Sequence, residues 1–243
     1  MLTSSVDVEP IALGRVDLVL SEIRQAPLEK LRDPLWLQYH LLPRLGLNGE
    51  LLNEFPEELY PWCGFGVRSW QYPSQFSKYL VSLSGKQIKT YLEIGCRHGG
   101  TFIITVEYLK RFNPVQIACA MDIENSEIMR EYKKESGVAY ALVSSLSEEG
   151  KRLIRSMRWD LALIDGDHEY VACSTDYETV RDHARLIALH DIVSDVCPGV
   201  RQLWGELKRV VPVLRREEFV DQYENVTTRT RQKFLGMGVV DFS

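Results

Sequence analysis

The chain has 243 residues, 45% of them hydrophobic, enough to bury a full core as one domain with an appendage. Its net charge is −5 with the two signs interspersed, so no basic stripe is available for nucleic acid. No apolar run approaches bilayer-spanning length, and Met1 to Pro10 lacks both a basic start and an apolar stretch, so a cytoplasmic protein with no membrane partner is expected.

Residues 1–88 carry seven of the ten prolines and show helical periodicity only near Val16–Arg24 and Leu28–Leu42. Trp62, Phe65, Trp70 and Tyr72 gather with Gly64 and Gly66 just ahead of the first strand. This part reads as a helical extension packed on the edge of a sheet. Trp62–Phe76 is also a candidate lid that would give a substrate pocket aromatic walls, and the two readings are compatible. Its exposed aromatic and proline-rich character is better explained if part of it packs on a neighbouring subunit, so a homodimer or higher homo-oligomer is expected.

Residues 89–243 have a different rhythm. Strand candidates are Thr90–Ile94, Gln116–Met121, Ala139–Val143, Asp160–Ile164 and Leu186–Leu189, with helices expected between them over Thr101–Phe112, Ser126–Ser136, Ser147–Arg158 and Tyr170–His183. Short strands apolar on both faces, alternating with amphipathic helices, predict an α/β fold with a doubly wound, Rossmann-like parallel sheet covered on both sides. Gly199–Val211 follows as a helix with Val200, Leu203, Trp204 and Leu207 on one face. Glu218–Tyr223 and Phe234–Phe242, joined by a polar loop over Asn225–Gln232, complete the chain as an antiparallel pair.

Thr90 to Gly100 reads Thr-Tyr-Leu-Glu-Ile-Gly-Cys-Arg-His-Gly-Gly. A strand that enters a glycine-rich turn and then a helix N-terminus makes a nucleotide-sized cradle, because backbone can approach the ligand and free N–H groups face it. In an open parallel sheet ligands bind beyond the carboxyl ends of the strands. Those ends carry Glu93 and Gly95, then Asp122, then Ser144 and Ser145, then Asp165, then His190 and Asp191. Asp122, placed to accept both ribose hydroxyls, is expected at the cofactor; capping of the next helix suits Asn125 or Ser126 better. Ser144 and Ser145 either contact an adenine edge or cap the helix starting near Ser147.

A dinucleotide turn needs Gly-x-Gly-x-x-Gly, whereas Arg97 stands at the middle glycine here. Glu93 would also repel a pyrophosphate. A carboxylate at that point suits a cationic ligand, and the amino group and sulfonium of S-adenosylmethionine meet that need. The five cysteines are scattered with no Cys-x-x-Cys pair, which argues against a disulfide framework or a thiolate zinc site.

Glu93-Ile-Gly-x-x-x-Gly99, Asp122, Leu163-Ile-Asp-Gly-Asp-His-Glu-Tyr170 and Leu189-His-Asp191 together resemble the class I S-adenosylmethionine-dependent methyltransferases. Among these the chain is most similar to the small O-methyltransferases that include sugar and macrolide tailoring enzymes and the cephalosporin-hydroxylase-like group. The similarity runs from about Trp70 to Val240. It implies a seven-stranded sheet with its last strand antiparallel, in agreement with the pattern above. It also implies that the first turn (Glu93, Gly95, Cys96, Arg97 and Gly99) holds the methionine half, with Asp122 on the ribose and Asp165 close by.

In metal-dependent relatives, carboxylates after the fourth and fifth strands hold magnesium, here Asp165 and Asp191, with manganese as an alternative. A hard cation with oxygen ligands lowers the pKa of a bound hydroxyl. His190 stands where such relatives usually have another acid. Imidazole suits zinc, manganese or iron better, so either His190 turns away from a weakly held ion or no ion is bound. His168 is the expected general base, with Asp165 beside it, since a histidine with an ordinary pKa of about 6.5 can accept an alcohol proton. Its alternative role is to orient the loop. His98 is expected to shape the glycine turn, Asp167 to support His168 or cap the next helix, and His40 and His183 to be ordinary surface residues. One departure is Asp182-His-Ala-Arg-Leu186, where relatives usually carry a Pro-Gly-Gly turn. The implied activity is O-methylation of a hydroxyl on a small molecule, a sugar or natural product; a non-catalytic binding protein of the same fold is the alternative.

Overall fold

The structure, a computed structural model, describes residues 9–243. Seven strands, β1 Thr90–Ile94, β2 Ile117–Asp122, β3 Ala139–Leu142, β4 Trp159–Ile164, β5 Ala184–Leu189, β6 Arg216–Phe219 and β7 Met237–Asp241, form one sheet in the order β3-β2-β1-β4-β5-β7-β6. The first five are parallel, with Leu92 flanked by Cys119 on β2 and Ala162 on β4. β7 runs antiparallel to both β5 and β6. The order reverses between β1 and β4, and there the loops of the two halves diverge and open a crevice.

Alternation along the central strands divides the core into two layers. Tyr91, Leu161, Leu163 and Ala188 pack on one face against Phe76, Leu80, Phe102, Val106 and Tyr132. Leu92, Ile94, Ala162 and Ile187 pack on the other against Ile154, Cys173, Val180, Leu203 and Trp204. The first layer also takes in Val19 and Ile23 of the Val16–Gln25 helix, so residues from the N-terminal segment and from the sheet share one core. A third cluster, with Leu47, Phe55, Leu59, Trp62 and Tyr72 against Val226, Phe234 and Leu235, fastens the extension to the last segment of the chain.

Three expectations need correction. Asn225–Gln232 is not a plain loop: Glu224–Thr230 is helical, held by buried Val226 and by Arg229, which donates to the carbonyls of Asn53 and Phe55 at 3.0 Å each. A segment with one apolar residue has no amphipathic signature, so tertiary contacts decide its conformation. Accordingly the strand expected over Glu218–Tyr223 is Arg216–Phe219. The Leu28–Leu42 region is broken at Pro34, where Asp33 caps a new turn by accepting from Leu35 and Trp36, and Leu37–Leu41 is a π-helical turn. In addition, Pro73–Ser84 is a full helix with Phe76, Tyr79, Leu80 and Leu83 buried at helical spacing and proline at its start. Among the described residues no helix is long and apolar enough to cross a membrane.

Candidate active site

A cavity of about 600 Å³ lies at the carboxyl ends of the strands, lined by the turns after β1 to β5 and by Leu51, Glu54, Arg68 and Trp70 of the extension. Every expected site residue borders it except Gly99: Glu93, Gly95, Cys96, Arg97, Asp122, Ser144, Ser145, Asp165, His168, His190 and Asp191. Gly99 instead starts the Gly100–Lys110 helix with φ 96°. Gly95 has φ 81°, and a Cβ there would lie 2.1 Å from the Asp165 carbonyl oxygen, so only glycine lets the β1 and β4 loops pass. At Gly100 a Cβ would meet the Ser69 nitrogen at 2.5 Å, which shows how closely the extension is pressed onto the glycine turn.

Asp122 accepts from the backbone nitrogens of Arg97 at 2.5 Å and Glu124 at 2.8 Å, so its carboxylate is oriented by the glycine turn while bordering the cavity. The helix that follows is capped by Ser126, which accepts from Met129, and its hydroxyl also donates to the His98 carbonyl. Ser147 caps the Glu148–Arg155 helix, which leaves Ser144 and Ser145 free of the capping role. All five cysteines are free thiols.

Glu93 is fully buried, accepts a hydrogen bond from the Tyr91 hydroxyl through Oε2, and has no partner on Oε1. Burial pushes its pKa well above the carboxylate range; Tyr91 opposes this, and the Asp165 charge adds to it.

At the turns after β4 and β5 four side chains converge. His190 Nδ1 lies 2.9 Å from Asp165 Oδ1 and 3.3 Å from Asp191 Oδ2, and its Nε2 is buried without a partner. His168 Nε2 lies 3.2 Å from Asp191 Oδ2 and 3.6 Å from Asp165 Oδ1, ion-pair distances without hydrogen-bond alignment. Burial alone would raise Asp191 and lower His190, but each overrules it in the other: Asp191 falls to about 2, and His190, with Asp165 and Asp191 beside it, rises well above 6.5. Asp165, then Cys197 and Asp191, raise His168 to about 11. Asp191 holds φ 60°, an uncommon backbone state for a non-glycine residue and one found at functional sites.

Asp165, His190 and Asp191 present ligand atoms within 4.8 Å of one another. Of the two readings open at the level of sequence, His190 turned away is not the arrangement found, because its ring lies between the two carboxylates. Two carboxylate oxygens and one imidazole fit a manganese- or iron-type divalent ion better than magnesium, and binding would require His190 to release its proton.

Three contributors were missed. Glu54 is buried and accepts from Trp70 Nε1 at 3.0 Å. Glu50 bonds Arg97, Arg68 and His98, and Arg68 borders the cavity. Glu50 and Arg68 lie outside helices and strands and Glu54 ends the short 3-10 turn Leu52–Glu54, so no periodicity points to them. Of the four aromatics expected near a lid, only Trp70 borders the cavity; Trp62 and Tyr72 are in the third cluster and Phe65 is exposed.

The sheet order and the antiparallel β7 are consistent with a Rossmann-like methyltransferase fold. Among solved structures the chain is similar to the O-methyltransferase TomG from Streptomyces achromogenes, involved in tomaymycin synthesis and solved with S-adenosylmethionine. Identity is 14% over 72% of this chain and 82% of that one, with a TM-score of 0.51. Cofactor-bound Rv0187 from MTB is 17% identical over 67% of this chain and 78% of that one, at a TM-score of 0.48. The mycinamycin-pathway methyltransferase MycE is 17% identical over 73% of this chain and 50% of its own, at 0.45. No protein-family profile and no curated protein sequence matches the chain.

Proposed function

We propose that the protein is an S-adenosylmethionine-dependent methyltransferase that acts on a hydroxyl of a small molecule, a sugar or natural product. The observation that carries this reading is Glu93. A fully buried carboxylate with one unpartnered oxygen at the glycine turn is unfavourable until a cation arrives, and the ammonium of the methionine half supplies one. Asp122 then receives the ribose hydroxyls, and Ser144 and Ser145 face the base.

In the reaction the acceptor oxygen attacks the methyl carbon in line with the sulfur. The O–C bond forms, the S–C bond breaks, and its electron pair stays on sulfur as S-adenosylhomocysteine. Alignment of the two reactants supplies much of the acceleration. His168, with its side chain 42% exposed, is the group assigned to take the hydroxyl proton. Asp165 and Asp191 hold that ring in place and stabilise its charged form. Asp165, His190 and Asp191 would hold a divalent ion, which when bound lowers the pKa of an acceptor hydroxyl. Trp70, Leu51, Val196 and Leu235 form the apolar wall of the acceptor side, with Glu54 as its buried acid.

Calorimetry with S-adenosylmethionine and with NAD tests the assignment. Saturable binding of the first and none of the second is expected; the reverse overturns the class. Binding without methyl transfer to any hydroxylated acceptor would leave a binding protein of this fold.

A further inference from the structure

The cavity is rich in carboxylates, yet the proposed cofactor also brings a carboxylate of its own, on the α-carbon of its methionine half. Among the described residues only two lysine or arginine side chains border the cavity, Arg68 and Arg97. Arg97 belongs to the glycine turn. Arg68 belongs to the extension, in the segment whose Ser69 nitrogen presses on Gly100 at the start of the Gly100–Lys110 helix.

These two guanidiniums share one acid. Arg97 donates to Glu50 Oε2 at 2.5 Å and Arg68 to Glu50 Oε1 at 3.1 Å, with His98 Nε2 2.6 Å from the same Oε1. Two fixed positive charges around one carboxylate leave a net charge of +1 even with His98 neutral. The Arg97 guanidinium is further committed, lying 4.9 Å from the centre of the Trp70 ring, and its side chain is half exposed. Arg68 is the less committed one: its side chain is only 22% exposed and its Nε is buried without a partner. Its backbone has φ 57°, an uncommon state for arginine that sets the direction of the side chain.

We propose that Arg68 receives the α-carboxylate of the methionine half, so that the N-terminal extension completes the cofactor site and is not confined to the acceptor side. The inference rests on the methyltransferase reading above. Its physical basis is the charge-assisted arginine–carboxylate pair, which Glu50 prepares by fixing the guanidinium in advance. Glu93 and Arg68 then divide the zwitterion between them, the acid taking the ammonium and the guanidinium the carboxylate.

The test uses two ligands that share the adenosine and sulfur but differ in the amino-acid group: S-adenosylhomocysteine and 5′-methylthioadenosine. In calorimetry, Arg68→Ala is expected to weaken S-adenosylhomocysteine by roughly 10- to 100-fold, the range for losing a hydrogen bond to a charged group, and to leave 5′-methylthioadenosine unchanged. Arg68→Lys is expected to recover part of the loss. Unchanged binding of 5′-methylthioadenosine also shows that the variant is folded. Should Arg68→Ala fail to fold, Arg68→Gln, which keeps amide donors near Glu50, is measured instead with the same expectation. Equal loss of both ligands, or loss of neither, overturns the assignment while the methyltransferase reading stands. A wild-type protein that binds neither ligand removes both.

Discussion

Two buried carboxylates of the cavity behave in opposite ways. Glu93, at the glycine turn, is fully buried, and burial raises its pKa well above the ordinary range. Asp191, beside two imidazoles, is nearly as buried, yet it is held ionised with a pKa of about 2. Burial is common to both, so it cannot be the cause of the difference. The difference is the presence of fixed cations: two imidazoles lie within 3.3 Å of Asp191, and Glu93 has a tyrosine hydroxyl and one vacant oxygen. Asp191 belongs to a complete charge set. The other is completed by its ligand.

The largest expected effect breaks the set around Asp191. His168→Ala should lower turnover by a factor of ~100 or more, the scale for a general base. In the wild type the carboxylates hold the proton on His168 up to about 11, so the base form grows as pH rises. Turnover is therefore expected to climb through the neutral and mildly alkaline range, and to lose that slope in His168→Ala. A wild-type profile that levels off near pH 7.5, as for an unperturbed histidine, would show that Asp165 and Asp191 do not act on His168 in this way.

Next comes the charge set itself. Asp191→Asn removes an acid that lies within 3.3 Å of both imidazoles and leaves His190 buried beside a single carboxylate. Breaking a buried pair in this way costs about 3–5 kcal/mol, to be read from urea denaturation at pH 7. The same variant should lose binding of Mn²⁺, followed by the electron spin resonance of the free ion, and chelator should lower wild-type turnover until Mn²⁺ is returned. Undiminished turnover in chelator would remove the ion from the proposed function and leave His168 with its carboxylates as the whole apparatus.

How much of this comparison could be read before the structure depends on which chain segments carry it. The strand ends were legible because parallel strands buried on both faces are continuous apolar runs, and the polar residue that ends each run is placed by register. That is how Asp122, Asp165 and Asp191 come to one crevice from positions far apart in the chain. The opposite fates of Glu93 and Asp191 were not legible, since both read simply as acids at strand ends. Glu50, Glu54 and Arg68 could not be found either. Their positions depend on the third apolar cluster, in which Phe55 and Trp62 meet Val226 and Phe234, and on bonds such as Asn225 to Glu58. The Glu224–Thr230 helix was missed for the same reason: its conformation is decided by what it packs against.

The other carboxylate gives the converse of Asp191→Asn. Glu93→Gln should weaken S-adenosylmethionine by roughly 10-fold or more, because the ammonium loses a charged partner. It should also stabilise the ligand-free protein at pH 8, where an isolated buried carboxylate is under pressure to ionise. Asp191→Asn and Glu93→Gln are thus expected to change stability with opposite signs. A shared sign would mean that burial, and not the supply of cations, governs both carboxylates.

The smallest effect sharpens the same point at a carboxylate removed from the histidine cluster. Asp176 is 1% exposed on the Tyr170–Arg181 helix, and its Oδ1 has no partner. Burial pushes it up to about 6, Asp167 adds to this, and Ser145 and Lys151 oppose it. A carboxyl group whose folded pKa is raised binds its proton more tightly in the folded state. Its effect on stability is therefore absent well below the unfolded value near 3.8, grows unfavourable from there to about 6, and stays constant above. Asp176→Asn removes that penalty, so the variant should be more stable than wild type by about 1–3 kcal/mol at pH 8 and nearly equal to it at pH 3, both read from urea denaturation. A gain of the same size at both pH values would assign the effect to packing of the amide. A loss at pH 8 would mean that Asp176 has a cationic partner after all and belongs with Asp191, not with Glu93.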